Sequence, residues 1–266
     1  MRTRGEQQYI GMPGFAARLY DNLTSVAGVS RGFREIAQFL AARVPAGKLL
    51  DVGPGPGRLL GEIRLATQAI DLFGLDISKA MIDLARENLH DLHGIDLRVG
   101  NITATEYPSG FFDCVVSTGS FYNWDRPIAG LDEVFRILKP GSTAYIYESV
   151  TDHDRDLLHV RLARNLHDCG AIRTRLSRHF LHKQLRMTYS TDEIHQLIRQ
   201  SDFADTYRLE RLELGGLPIY VRIDLWKHKQ AQRSTESDRS PPRECVGGPP
   251  EPRTAKRTVC PSCANR

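Results

Sequence analysis

The sequence lacks what would mark a membrane, secreted or nucleic-acid-coating protein. No window approaches the roughly 20 apolar residues of a membrane span. The opening residues, Met1-Arg2-Thr3-Arg4-Gly5-Glu6, have no apolar stretch of the kind a secretory signal carries. A cytoplasmic location without a membrane partner is therefore expected. Five cysteines, at 114, 169, 245, 260 and 263, form an odd set without a disulfide framework. Cys114 sits inside an apolar run and reads as a small core hydrophobe. Cys260-Pro261-Ser262-Cys263 has the spacing of half a zinc site, but the second pair is missing, so no metal is expected. A formal charge of +4 is too small to announce nucleic acid. Large apolar side chains nearly vanish over residues 229–266, which are rich in Pro, Gly, Ser, Thr and Arg. That composition cannot bury enough surface to offset its ordering entropy, so a disordered basic tail is expected.

What remains is well supplied for a core. The chain has 266 residues, 41% of them hydrophobic, enough for one α/β domain with additions. Helical periodicity runs through residues 1–44, in Phe15, Ala16, Leu19 and Tyr20 and then Phe33, Ile36, Ala37 and Leu40. Strands are expected near 48–52, 71–75, 95–99, 112–117 and 143–149, with helices near 57–67, 78–91 and 127–138. Such alternation implies a parallel sheet covered on both faces. In the helix near 127–138, Ile128, Leu131, Val134, Phe135 and Leu138 form one apolar stripe, and Lys139-Pro140-Gly141 is its expected stop. Residues 151–189 break the rhythm with a helix-forming insert rich in Arg and His. Leu157, Leu158, Leu162 and Leu166 are expected to face inward there. Ser190 and Glu193 have the spacing of a capping box, and two final strands near 206–214 and 217–226 read as an antiparallel hairpin at the sheet edge.

The most informative stretch is Asp51-Val52-Gly53-Pro54-Gly55-Pro56-Gly57-Arg58. A strand that turns sharply into a helix needs glycines for positive φ and for close backbone approach. Such turns lie at the carboxyl edge of a parallel sheet, where open α/β folds bind ligands. The dinucleotide fingerprint would require a third glycine where Arg58 stands, and a phosphate loop would require Lys-Ser/Thr after Gly57. Pro54 and Pro56 remove two backbone donors that a pyrophosphate would use. Asp51 suits a cationic ligand better than a polyphosphate. Nineteen residues beyond Gly57, Asp76 ends the next apolar run, where a carboxylate can accept both hydroxyls of a ribose. Asp76 is equally well placed to cap a helix starting near Ser78.

With Asp76 in place, Asp51-Val52-Gly53-Pro54-Gly55-Pro56-Gly57 and Gly74-Leu75-Asp76-Ile77-Ser78 resemble the class I S-adenosylmethionine-dependent methyltransferases. Phe111-Phe112-Asp113-Cys114-Val115-Val116-Ser117 is similar to that family's fourth strand. Leu131 to Gly141 is similar to the helix and turn before its fifth. The resemblance covers roughly residues 45–150. It implies a Rossmann-like, seven-stranded, mostly parallel sheet with helices on both faces and an antiparallel C-terminal edge hairpin. The implied organisation is N-terminal helices over residues 1–44 capping the cofactor site, a catalytic domain over 45–228 with 151–189 as a lid on the acceptor pocket, and the tail.

The implied cofactor is S-adenosylmethionine. Gly53, Gly55 and Gly57 would admit its methionine and ribose, Asp51 would face its positive end, and Asp76 with Ile77 would hold the ribose. Asn101 and Ile102 match the segment that reads adenine, with Asn101 where the family commonly has an acid. Thr118 lies where backbone meets the methionine amine. Tyr20 resembles a tyrosine that closes over the cofactor, and a packed helix tyrosine is an equal reading. In Gly119-Ser120-Phe121-Tyr122-Asn123-Trp124, Tyr122 and Trp124 are either acceptor contacts or loop-core aromatics. The loop has neither the Asn/Asp-Pro-Pro-Tyr/Phe of amino-methylating nucleic-acid enzymes nor the cysteine of cytosine methylation. His153 is the candidate general base, or else a surface histidine.

The expected function is methyl transfer to a small molecule. The basic insert, with eight Arg/Lys against four Asp over 151–190, opens the reading of an anionic acceptor. An RNA or protein acceptor and a cofactor-binding protein without catalysis are the rival readings.

Overall fold

The computed structural model describes residues 14–24, 27–167 and 170–229. Helices α1 (Gly14–Thr24) and α2 (Ala27–Arg43) precede strand β1 (Gly47–Val52). Strand and helix then alternate through α3 (Arg58–Ala66), β2 (Ile70–Asp76), α4 (Lys79–Asn88), β3 (Ile95–Val99), β4 (Phe112–Thr118), α5 (Pro127–Ile137) and β5 (Leu138–Ser149). The insert forms α6 (Arg155–Asn165) and α7 (Ala171–Leu185). Helix α8 (Thr191–Ile198) and the hairpin β6 (Tyr207–Leu214) and β7 (Leu217–Trp226) complete the order.

All seven strands form one sheet in the order β3-β2-β1-β4-β5-β7-β6. β1 pairs in parallel with both β2 and β4, through Val52↔Leu75 and Val52↔Ser117. The chain therefore winds outward first on one side of β1 and then on the other. The crevice this leaves at the carboxyl ends of β1 and β4 is where open α/β sheets take ligands. β7 inserts antiparallel between β5 and β6, so the hairpin closes the sheet edge as expected.

Successive strand residues face opposite sides, and both sides are buried. Leu50, Val115, Ile146 and Val221 pack with Leu131 and Val134 of α5 and Ile194 of α8. Leu49, Cys114, Val116 and Tyr147 pack with Ile36 and Leu40 of α2, Leu59 and Ile63 of α3, and Ile82 of α4. Cys114 is a core residue, its thiol pushed up by burial.

Three local expectations need correction. Lys139-Pro140-Gly141 does not separate helix from strand: α5 ends at Ile137 and β5 begins at once at Leu138. Leu138 pairs with Phe112, the register then shifts, and Thr143 pairs with Cys114. Gly141, at φ 84, forms the irregularity and donates to the Lys227 carbonyl. Leu157 of the insert is exposed, whereas Leu158, Leu162 and Leu166 are buried with Leu185, Leu217 and Ile219. The helix expected over 78–91 ends at Asn88.

The capping box at α8 forms, Ser190 accepting from the Glu193 N–H while the Glu193 carboxylate takes the Ser190 N–H. The basic tail, with Cys245, Cys260 and Cys263, lies outside the described residues, as does Cys169. Among the described residues no helix is long and apolar enough to cross a membrane, and no group of three metal-capable side chains is found.

Candidate functional site

The turn after β1 gives its three glycines three different tasks. All have positive φ, 72° at Gly53, 53° at Gly55 and 82° at Gly57. A Cβ on Gly53 would come within 2.5 Å of Ser120, and one on Gly57 within 2.6 Å of Leu89. Those two are glycine because protein crowds them. A Cβ on Gly55 would meet nothing within 4 Å. Only Gly55 opens onto free space. Gly57 does not line the cleft that Gly53, Pro54, Gly55 and Pro56 border.

Asp76, at the tip of β2, holds this turn to its own strand. One carboxylate oxygen accepts the Gly55 N–H at 3.2 Å and the other the Ser78 N–H at 2.8 Å. The cap of α4 is Ser78, whose side chain accepts from the Met81 N–H, so the helix-capping alternative for Asp76 is corrected. Burial raises the Asp76 carboxyl, opposed by those two backbone donors.

Asp51 lies behind the turn, fully buried, and neither of its oxygens has a partner. Burial, with the neighbouring Asp76 charge, pushes it up to about 8. Asp51 is thus not on the cleft wall. A buried carboxyl without a donor is costly, and a cationic group nearby would relieve it.

The cleft has a volume of about 430 Å³. Tyr20, Asp76, Ile77, Asn101, Ile102 and Thr118 all line it, together with Tyr122 and Trp124. The Asn101 side-chain oxygen accepts the Thr103 N–H at 3.0 Å, which fixes the amide and leaves one lone pair free. Ser120 ties β1 to the loop after β4: its hydroxyl donates to the Val52 carbonyl at 2.8 Å and lies 2.7 Å from the Ser117 hydroxyl.

Helix α1 is fastened over the cleft from three sides. Arg58 grips Asp21 through two nitrogens at 2.6 and 2.9 Å. The Tyr20 ring meets Phe180 of α7 edge-on at 5.4 Å, and Arg173 donates to the Asn22 carbonyl at 3.0 Å.

Past β4, Phe121–Asn123 form a 3-10 turn. Glu148, fully buried at the end of β5, accepts the Tyr122 N–H at 3.2 Å and the Ser149 N–H at 2.9 Å. Burial raises it to about 7 against those donors. Trp124 is nearly buried, its ring edge-on to Phe121 at 5.0 Å, and also borders the cleft. Trp124 is thus a loop-core aromatic that also reaches the cleft wall.

His153 does not join the group. Its Nδ1 lies 2.6 Å from the Val150 carbonyl, and the residue is not on the cleft wall. Sequence reasoning missed Met81, Tyr147, Phe180, Gln184 and Tyr220, which all line the cleft. Their separation along the chain gave no motif to find.

Residues 50–146 match the model of a methyltransferase domain family. The chain is 33% identical over 98 residues to the uncharacterized methyltransferase YdaC of Bacillus subtilis, covering 37% of this chain and 54% of that one. It is 29% identical over 220 residues to the ubiquinone/menaquinone biosynthesis C-methyltransferase UbiE of Geobacter sp. strain M21, covering 79% and 93%. The chain spans about half the length of several other curated relatives it matches. A crystal structure of a SAM-dependent methyltransferase from Aquifex aeolicus superposes with a TM-score of 0.57 at 15% identity, covering 80% of this chain and 98% of that one.

Proposed function

We propose that the chain is a class I S-adenosylmethionine-dependent methyltransferase, as the family match over residues 50–146 supports, and that it methylates a small molecule bound beneath the α6–α7 insert. The observation that carries the binding half is the free space at Gly55, flanked by the Asp76 carboxylate and backed by the partnerless Asp51. When bound, the cofactor supplies a methyl group already activated by its sulfonium. This chain's residues then bind, orient and exclude water.

Asp76 keeps lone pairs for the ribose hydroxyls beyond those given to Gly55 and Ser78. Ile77 packs beside it. Asn101 and Ile102 serve the adenine. Thr118 meets the methionine end, and Asp51 offsets its positive charge from behind Gly53. Gly57 serves by shaping the turn rather than by contact. Tyr20, held by Phe180, covers the site and helps exclude water. Tyr122 and Trp124 border the acceptor. No proton transfer is assigned to His153, and none is required unless the accepting atom starts protonated.

A small acceptor fits a cleft roofed by protein on the insert side. The quinone named for the Geobacter relative is of that class. Two insert arginines are committed within the chain, Arg161 to Glu213 and Arg173 to α1, which leaves less charge for a nucleic-acid landing surface.

A melting scan with S-adenosylmethionine, S-adenosylhomocysteine and NAD tests the reading. A ligand at about one hundred times its Kd adds roughly 2.7 kcal/mol. Stabilisation by NAD alone overturns the proposal. RNA binding that falls steeply with salt would favour the nucleic-acid rival.

A further inference from the structure

Glu148 is a buried carboxylate to which cofactor binding gives no task. It stands one residue before the end of β5, pairs with Val221 of β7 across the sheet, and does not line the cleft. The loop after β4 runs past it. Thr118 pairs with Tyr147, the Gly119 N–H donates to the Tyr147 carbonyl at 2.8 Å, and the chain then leaves the sheet for the Phe121–Asn123 turn. The N–H groups that open such a turn find no partner within it. Ser120 does not cap them, since its hydroxyl is spent on the Val52 carbonyl and the Ser117 hydroxyl. Glu148 does so instead: one carboxylate oxygen accepts the Tyr122 N–H at 3.2 Å and the other the Ser149 N–H at 2.9 Å. The carboxylate thus ties the turn to β5.

We propose that Glu148 is a positioning residue: its carboxylate, while ionised, sets the turn that presents Tyr122 and Trp124 to the cleft, and loss of the charge loosens that wall. This deepens the methyltransferase reading above and rests on it for what lies against the wall. Each oxygen accepts from a backbone donor, so only the ionised form serves both without carrying a proton on either. Such charge-assisted bonds are also the stronger ones. Among the described residues no Arg, Lys or His bonds to Glu148, so N–H groups alone answer its charge. On β7 it faces Tyr220, whose phenol is pushed up by burial and then by the Glu148 charge. Tyr122 stands on the turn itself, and Tyr189 meets the Phe121 ring at 5.6 Å. None of these phenols supplies a cation. Burial holds Glu148 at about 7, so its charge comes and goes across neutral pH. Protonation relieves a buried charge, so the fold as a whole gains stability on the acid side while the grip on Tyr122 weakens. The two effects run in opposite directions, which separates positioning from a purely structural role.

The test uses the full chain, isotopically labelled, and its Glu148→Gln variant, followed by NMR across neutral pH with S-adenosylhomocysteine absent and saturating. In the wild type the Glu148 carboxyl carbon and the Tyr122 and Ser149 backbone amides should titrate with one midpoint of about 7, both amides moving upfield on the acid side. The Trp124 indole, edge-on to Phe121, should follow the same midpoint. In Glu148→Gln the Tyr122 amide and the Trp124 indole should lose that titration and stay near the wild type's acid-side positions. From the acid to the alkaline side the melting temperature should fall further in the wild type than in the variant. S-adenosylhomocysteine affinity should agree between the two proteins within about two-fold.

A Tyr122 amide that does not titrate with the Glu148 carboxyl overturns the proposal, as does a titration that survives unchanged in Glu148→Gln. So does a Trp124 indole that stays fixed while Tyr122 shifts, which would confine the effect to one hydrogen bond. Should the variant fail to fold, the wild-type carboxyl, amide and indole curves decide by whether their midpoints coincide. Failure of S-adenosylhomocysteine to bind the wild type is read separately and counts against the methyltransferase reading itself.

Discussion

The Asp76 carboxylate accepts the Gly55 N–H at 3.2 Å, joining the tip of the second strand to the one glycine of the turn that faces open space. Two features that are twenty-one residues apart in sequence thus form one surface. The turn cannot shift without moving the carboxylate proposed to hold the ribose.

Replacing Asp76 with Ala should therefore remove two things together, the ribose partner and the acceptor for two backbone donors. The melting shift produced by S-adenosylmethionine should largely vanish, with affinity falling at least about ten-fold, or about 1.4 kcal/mol. Asp76→Asn, which can still accept a backbone donor, should retain more of the unliganded stability than of the binding. An unchanged shift in either variant would refute the ribose assignment.

The glycines separate binding from folding. Gly57→Ala puts a Cβ against Leu89 at a left-handed φ of 82°, so it should lower the unfolding free energy by at least the roughly 1–2 kcal/mol of an αL side chain. Gly55→Ala meets no protein atom, and its φ of 53° is the milder strain. It should cost less stability and more cofactor affinity. Denaturant midpoints and titrations on both variants check the inversion, and a variant pair that ranks the same way in both measurements would contradict it.

Arg58 stands where a dinucleotide site would have its third glycine, and here it grips Asp21 of the N-terminal helix at 2.6 Å. Arg58→Ala should free that helix and with it Tyr20. Cofactor dissociation should speed up, and affinity should weaken about three- to ten-fold, in line with a charge-assisted pair of roughly 1 kcal/mol. Stopped-flow release of S-adenosylhomocysteine reads this directly. Unaltered release would show that the helix does not gate the site.

Much of this was legible because the signals were local. The period of apolar residues placed the strands, and the Ser190–Glu193 spacing gave its helix start correctly. Gly53 to Gly57 carried their positive φ in the sequence itself. What failed depended on partners distant in the chain. Lys139-Pro140-Gly141 looks like a helix stop, yet Leu138 is drawn straight into the sheet by its pairing with Phe112. Leu157 shares the insert's apolar period, but the hairpin covers only Leu158, Leu162 and Leu166. The cleft wall formed by Tyr147, Phe180 and Leu217 is assembled from three elements that the chain visits far apart, so no spacing announces it.

Asp51 gives a prediction in pH. Burial holds its folded value at about 8 against an ordinary 3.8, so the folded protein keeps a proton there that the unfolded chain gives up. Its contribution to stability is fully present below 3.8 and is lost as pH rises toward about 8. Asp51→Asn should flatten that decline in the unliganded protein. A cation bound beside the carboxyl favours its charged form and lowers its pKa, so binding expels a proton wherever Asp51 starts protonated. S-adenosylmethionine affinity should therefore rise with pH toward about 8 and then level off, with proton release visible by calorimetry in buffers of different ionisation enthalpy. S-adenosylhomocysteine, which lacks the sulfonium charge, should show a shallower rise, and Asp51→Asn should abolish both. Equal pH slopes for the two ligands would mean that Asp51 does not answer the sulfonium.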